Sequence, residues 1–433
     1  MRLIHTTSRK ADEMIQALIE RGGTVFDDVL PATGRILSEV RKTGDGAVIK
    51  YARRFDRLPE DAALRITPEE MEAAWKQLDS TLKDALKTAE RQIRSFARRQ
   101  LPKSWSVSPV PGLVTGQLVR PLESVGCYVP GGRHPLPSTM LMTAIPAQVA
   151  GVRRIVVTSP NPAPETLATA HLLGITEFYR IGGAHAIGAL AYGTQSIARV
   201  GKIVGPGNLY VTAAKRLVAQ DLGQGSIDML AGPTEIVVTS DKGKPADIAA
   251  DLVAQAEHDP AALAIFITTQ KELARAVVAE AKQQCRTNPI AQRALVSNGC
   301  VILCKTMEEA HEITNRLAPE HLTVDAGTDL AWVENAGSVF IGRHSPQPMG
   351  DYISGPNHTL PTGGLARLRG GLSVLDFVKL ITVQQYTAEG LKALGPQAIR
   401  LAEAEGLSGH AEAIRTRLKS KSICLKSVKG DTR

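Results

Sequence analysis

From Val125 onward, short β-branched runs alternate with alanine-rich helical stretches, and two strand ends run directly into glycine-rich turns that open helices. Those features, in a chain of 433 residues, predict an α/β protein with two Rossmann-like doubly wound domains and small helical N- and C-terminal appendages. The expected boundaries are 1–23 for the N-terminal appendage, 24–125 with 235–371 for a discontinuous first domain, 126–234 for the second, and 372–433 for the C-terminal appendage.

Taken in order, the first part reads as helical. Ala11–Arg21, Thr33–Phe55 and the charged stretch Pro68–Arg99 place apolar residues three and four apart. The doubly wound series then runs Arg154–Ser159 (strand), Pro164–Leu173 (helix), Glu177–Ile181 (strand), Ala184–Tyr192 (helix), Lys202–Val204 (strand) and Leu209–Ala219 (helix). A second series runs Glu235–Thr239 (strand), Pro245–Glu257 (helix), Ala262–Thr268 (strand), Lys271–Cys285 (helix) and Cys300–Cys304 (strand). After Gly371 the β signals fade into a helical end punctuated by Gly406 and Gly409.

Composition narrows the function. The net charge of +8, from 51 Lys and Arg against 43 Asp and Glu, is clearest at Arg94–Arg99 and at Arg415, Arg417, Lys419 and Lys421. With only 4% aromatic residues, these runs read as solvated faces rather than a nucleic-acid surface. No segment resembles a signal peptide or a membrane span, which predicts a cytoplasmic protein. Cys127, Cys285, Cys300, Cys304 and Cys424 include no C-x-x-C pair and predict no disulfide framework.

Several segments could carry chemistry. IGGAHAIGA (181–189) and GPGNLYVTAAK (205–215) place glycines at helix starts, where amides can hold a phosphate or simply make a tight turn. CYVPGGRHPLPST (127–139) follows a strand, and its Tyr128 could stack on a planar ligand or sit in a rigid loop. Gln255 and His258 are expected as neighbours on one helical face, where a metal, a ligand or structural hydrogen bonds could satisfy them. Glu320 and His321, adjacent after Pro319, are residue types suited to proton transfer near neutral pH, or to a helix cap with a solvated carboxylate. Asp351 and His358 in MGDYISGPNHTLPTGG (349–364), with Glu405 and His410 near the end, add oxygen and imidazole groups that suit zinc or another divalent ion.

With YVPGGRHPLPSTMLM, GPGNLYVTAAK, AGPTEI, AQAEHDP, APEHL, GDYISGPNHTLPTGG and EGLSGHA in place, the sequence resembles the histidinol dehydrogenase family over nearly its whole length. The resemblance implies an NAD-linked, four-electron oxidation of L-histidinol through L-histidinal to L-histidine, with one zinc per subunit held by Gln255, His258, Asp351 and His410. It implies Glu320 and His321 as the catalytic acid/base residues and Thr234, His358 and Glu405 as substrate contacts, together with the zinc ligands and His321. Tyr128 and Asn208 match positions that contact NAD, which assigns the cofactor to 126–234. His185 stands where the family commonly has glutamine, and an imidazole cannot reproduce an amide's hydrogen-bond geometry. A homodimer with exchanged C-terminal segments is also implied. The alternatives are a dehydrogenase of another small alcohol, such as a sulfonated diol, a metal-dependent hydrolase, and a non-catalytic metal-binding scaffold.

Overall fold

The computed structural model describes residues 1–21, 28–131 and 135–419. The expected boundary at 23/24, positions 132–134 of the 127–139 turn, Lys421 and Cys424 therefore lie outside the described residues. The chain forms two compact units, Met1–Leu101 with Leu122–Phe377, and Pro102–Pro121 with Val378–Arg433.

Local chemistry sets the element boundaries. In the first unit, β1 (Arg2–His5) leads to α1 (Arg9–Ile19), whose first-turn amide is capped by Ser8. The expected helix over 33–55 is two, α2 (Leu30–Thr43) and α3 (Asp45–Phe55), because Gly44 between them takes φ +58°. The next is also divided. After β2 (Arg65–Ile66), α4 (Pro68–Gln77) begins in a Thr67/Glu70 capping box, and α5 (Ser80–Gln100) restarts under an Asp79 cap.

The second unit holds β3 (Trp105–Val110) and β4 (Leu113–Pro121). The first resumes with β5 (Ser124–Tyr128), α6 (Pro137–Ala150), β6 (Arg154–Thr158), α7 (Pro164–Leu172), β7 (Glu177–Tyr179), α8 (Gly183–Tyr192), β8 (Lys202–Val204) and α9 (Leu209–Leu222). It continues through β9 (Glu235–Thr239), α10 (Pro245–Ala256), β10 (Leu263–Thr268), α11 (Lys271–Gln284), α12 (Pro289–Ser297), β11 (Cys300–Leu303) and α13 (Met307–Leu317). Then come β12 (His321–Val324), β13 (Ser338–Ile341) and α14 (Pro348–Tyr352); the second unit closes with β14 (Val378–Tyr386), α15 (Ala388–Ala404) and α16 (Ser408–Lys419).

Two of the sheets form the α/β architecture the sequence predicts. The six-stranded sheet, in order β1-β11-β10-β9-β12-β13, is parallel throughout. One of its faces packs on α10, α11 and α12 and the other on α1 and α13, which is why its central strands are apolar on both sides. The second sheet, β2-β7-β6-β5-β8, is parallel except for the short edge strand β2. Helices α2, α3, α8 and α9 share one core with it, while α6 lies against β5 and is covered in turn by α5.

Three expectations are corrected. The described part of the expected N-terminal appendage, residues 1–21, is not an appendage, because β1 is an edge strand of the six-stranded sheet and α1 packs into its core. The helices between 30 and 100 belong with the five-stranded sheet, not with 235–371: α2 packs on α8, α4 on α7 and α5 on α6. The C-terminal part is not purely helical, since β14 pairs antiparallel with β4, and β4 with β3, in a three-stranded sheet. No helix among the described residues is long and apolar enough to cross a membrane.

Candidate active site

Pro319 cannot continue α13, and Ala318 ends that helix in the left-handed region at φ +47°. The chain is thereby turned so that buried Glu320 immediately precedes β12 and buried His321 begins it. β9 lies alongside β12, which sets Thr234 and Glu235 beside the pair. Glu320 Oε2 accepts from the Thr234 hydroxyl at 2.6 Å and from the Glu235 amide at 2.7 Å. His321 Nδ1 lies 3.1 Å from the Glu235 carbonyl oxygen. Since a carbonyl only accepts, Nδ1 carries a proton, and Nε2 is the nitrogen at which the ring gains or loses its second one.

The site extends from there in two directions. Towards α10, the Gln255 amide donates to Thr234 Oγ1. Gln255 is 1% exposed, and its carbonyl Oε1 is buried without a hydrogen-bond partner. Towards α14, Asp351 Oδ1 lies 3.8 Å from His321 Nε2, and its Oδ2 accepts from Gln347 at 2.9 Å. His358 Nδ1 donates to the Asp351 carbonyl at 2.8 Å, and its Nε2 lies 3.4 Å from Thr139 Oγ1. A cavity of about 260 Å³ is lined by His321, Asp351, Asn357, His358 and the strand β13.

Burial and charge compete within this cluster. Burial opposes the charged form of His321, but the carboxylates of Glu320 and Asp351 outweigh it and raise its pKa to about 10. Burial also opposes the charge on Asp351, yet its contacts with His321, the nearby His358 and the Gln347 amide hold the carboxyl below its usual range. His358 is shifted down, chiefly by burial.

Thr234, Gln255, Glu320, His321, Asp351 and His358 thus form one chain of contacts. The other expected residues are placed differently. His258 does not share a helical face with Gln255, because α10 stops at Ala256 and leaves His258 exposed beyond it. Glu405 caps the end of α15 and His410 lies in the first turn of α16, both exposed in the second unit. Among the described residues no group of three or more His, Cys, Asp or Glu is arranged to hold a metal ion. The buried, unpartnered Gln255 oxygen and the Asp351 carboxylate are nevertheless the oxygen donors that a divalent cation needs.

At the five-stranded sheet, the glycine-rich turns are engaged from within the protein. Asp56 Oδ2 accepts from the Gly182 amide at 2.8 Å and contacts His185 Nε2 at 2.8 Å; the Tyr128 hydroxyl accepts from the Gly183 amide at 3.1 Å. These amides at the start of α8 are therefore bonded to protein groups rather than left for a phosphate. Tyr128 is buried, so the expected ring stacking on a planar ligand does not match its place, and burial pushes its hydroxyl up to about 12. His185 is also buried, turned towards Asp56. Asn208 is exposed and caps α9 through Val211.

The GPGN turn is braced below by a buried ion pair. Lys215 Nζ contacts Asp228 Oδ1 at 2.5 Å and donates to the Gly205 carbonyl, while Asp228 Oδ2 accepts from the Gly205 amide. Gly205 has φ +111°, and a Cβ there would stand 2.2 Å from the Tyr128 carbonyl oxygen, so only glycine fits.

Sequence reading missed a further cavity of about 170 Å³ at the carboxyl edge of this sheet, lined among others by Asp56, Arg57, Asn161, Pro162 and Arg180. Arg57 and Asn161 both have positive φ, and Ser159 Oγ and Arg180 Nε are buried without partners. Only the Asn161-Pro162 turn carried a local signal for it.

Comparison with known proteins agrees with this architecture. The family model for histidinol dehydrogenase matches residues 19–418. The chain is 43% identical over 431 residues to the histidinol dehydrogenase of Syntrophotalea carbinolica, covering 97% of this chain and 99% of that protein. It is 47% identical over 395 residues to that of Geobacillus kaustophilus, covering 88% of this chain and 92% of that protein. The crystal structure of histidinol dehydrogenase from Elizabethkingia anophelis superposes with a TM-score of 0.90 at 35% identity, covering 97% of this chain and 98% of that one. Fold and sequence together place this chain in the histidinol dehydrogenase family.

Proposed function

We propose that this chain oxidises L-histidinol to L-histidine through L-histidinal, with NAD as hydride acceptor, zinc as substrate-orienting ion, and Glu320 and His321 as the proton-transfer pair. The observation that carries the reading is the adjacency of that pair. Both protein bonds to Glu320 fall on Oε2, and the proton on His321 Nδ1 is fixed by the Glu235 carbonyl. In its deprotonated form His321 would take the alcohol proton at Nε2, and Glu320 Oε1 would take one from the water that hydrates the aldehyde.

Gln255, His258 and Asp351 would hold the zinc, with His410 completing the set; when bound, the ion supplies Lewis acidity and orientation. His358 and Thr234 would contact the substrate, and Glu405 would pair with its ammonium. Asn208 and the cavity beside Asp56 and Arg180 would receive the dinucleotide, two molecules in succession, each of which would supply the acceptor for one hydride, with Tyr128 and His185 shaping that site from beneath. Cys127 takes no part, because burial pushes its thiol up to about 12.

We further propose a homodimer in which Glu405 and His410 serve the partner's site. All of β14 beyond Val378 is exposed, including neighbours Leu380 and Ile381, which point to opposite faces, and Trp105 on β3 is 52% exposed. A second copy would cover such a two-faced apolar sheet. The test is NADH formed per L-histidinol by metal-replete protein, beside a chelated control. Two NADH per substrate, lost on chelation, are expected; no turnover by folded, metal-replete protein would redirect the assignment to another alcohol. NAD-independent hydrolysis would favour the hydrolase.

A further inference from the structure

Glu235 stands between the two proton-transfer residues. Its amide holds Glu320 and its carbonyl holds His321, so the peptide units on either side of one residue set the positions of both. Its own carboxylate is buried and bonds to other partners. Arg21 grips it through a fork, Nε to Oε1 at 2.6 Å and Nη2 to Oε2 at 2.6 Å, and the Gly363 amide donates to Oε1 at 3.0 Å.

Arg21 is itself fixed at two helix ends. Nη1 donates to the Leu18 carbonyl at 2.6 Å, in the last turn of α1, and Nη2 to the Leu317 carbonyl at 3.0 Å, the last residue of α13. Helix C-termini carry partial negative charge and favour a cation there. The guanidinium therefore ties α1 and the turn into Glu320 to one carboxylate, with a geometry that a lysine cannot reproduce, and the Gly363 amide adds the loop that carries His358 to the same carboxylate.

We infer that Arg21 and Glu235 are positioning residues for the reaction: their ion pair fixes the Glu235 backbone, and through it the orientations of Glu320 and His321. This rests on the reading of Glu320 and His321 as the proton-transfer pair. It gives the N-terminal β1-α1 segment a catalytic purpose besides completing the sheet. Neither residue touches the substrate in this account, so their loss should lower kcat and leave binding alone.

Removing one charge strands the other in the interior, so the pair is best removed together. In the full-length, metal-replete enzyme, Arg21→Met/Glu235→Gln is expected to fold and to bind L-histidinol and NAD with KM within about threefold, while kcat falls by about tenfold or more through misorientation. Arg21→Lys, the milder change, should show the same kcat-only loss to a smaller degree if the double variant does not fold. For Arg21→Ala, added guanidinium should restore part of the lost kcat. A folded double variant, or Arg21→Lys, with kcat per folded molecule within twofold of the parent, or a loss appearing only in KM, would overturn the inference. Parallel His321→Ala separates the two failures: if that variant also turns over normally, the reading of the pair has failed; if it alone is inactive, only the positioning role has.

Discussion

The five-stranded sheet offers its glycine-rich turns at the carboxyl ends of its strands, whereas the six-stranded sheet collects Thr234, Glu320 and His321 at the amino ends of β9 and β12. The two edges differ in sign. At the carboxyl edge of a parallel sheet the chain enters helix N-termini, which favour anions; at the amino edge it leaves helix C-termini, which favour cations. The first edge accordingly holds the Asp56 carboxylate on the Gly182 amide at the start of α8. The second holds the Arg21 guanidinium on the ends of α1 and α13, and places Gln255, with its unpartnered oxygen, in the last turn of α10. Under the proposed function, an anionic dinucleotide and a substrate carrying an ammonium beside a divalent ion would find complementary ends of two similarly built sheets. A shared doubly wound plan therefore does not fix which edge does the chemistry; the polar residues at the strand ends do.

The contrast can be broken most sharply at His321. His321→Ala should lower kcat by about 10²–10⁴-fold while zinc and NAD still bind, as measured by steady-state kinetics beside metal analysis. Turnover near the parent's would move the base away from the amino edge. At the opposite edge the largest effect should be on stability. Lys215→Met leaves Asp228 buried without its cation, and urea unfolding should report a loss of about 3–5 kcal/mol. An unchanged midpoint would mean that the pair does not brace the GPGN turn.

A smaller effect is expected at His185. Since His185 is buried against Asp56, His185→Gln changes one hydrogen bond beneath the nucleotide edge, and NAD affinity measured by titration should change by no more than about tenfold. A change above a hundredfold would make His185 a direct cofactor contact. Smallest of all, Cys127→Ala should keep kcat within about threefold, because the thiol is a packing group in β5. Near-complete loss would bring back a covalent thiohemiacetal route.

Much of this was legible along the chain where the controlling forces are local. Lys202–Val204 and Glu235–Thr239 are strands at the residues expected, because β-branched runs between turn residues leave little choice. Periodicity shows that α2 to α5 have buried faces but not which sheet they face, and so assigned them to the wrong one. Strand β14 was missed because it pairs with β4 more than 250 positions away, and the local hairpin β3-β4 because the sheet's exposed apolar side chains break the usual alternation. The Glu320-His321 pair was readable from its own sequence, whereas Arg21, Glu235, Asp56 and Arg180 acquire their roles only from partners far along the chain.

The division of labour at the amino edge is tested most directly by following NADH in a single turnover of L-histidinol with the parent enzyme and with Glu320→Gln. The account predicts two NADH per site from the parent. In the variant, a first NADH should form at close to the parent's rate and a second be slowed by about 10²–10⁴-fold, because the water that hydrates the aldehyde has lost its base. Two NADH at the parent's rates from the variant would contradict it.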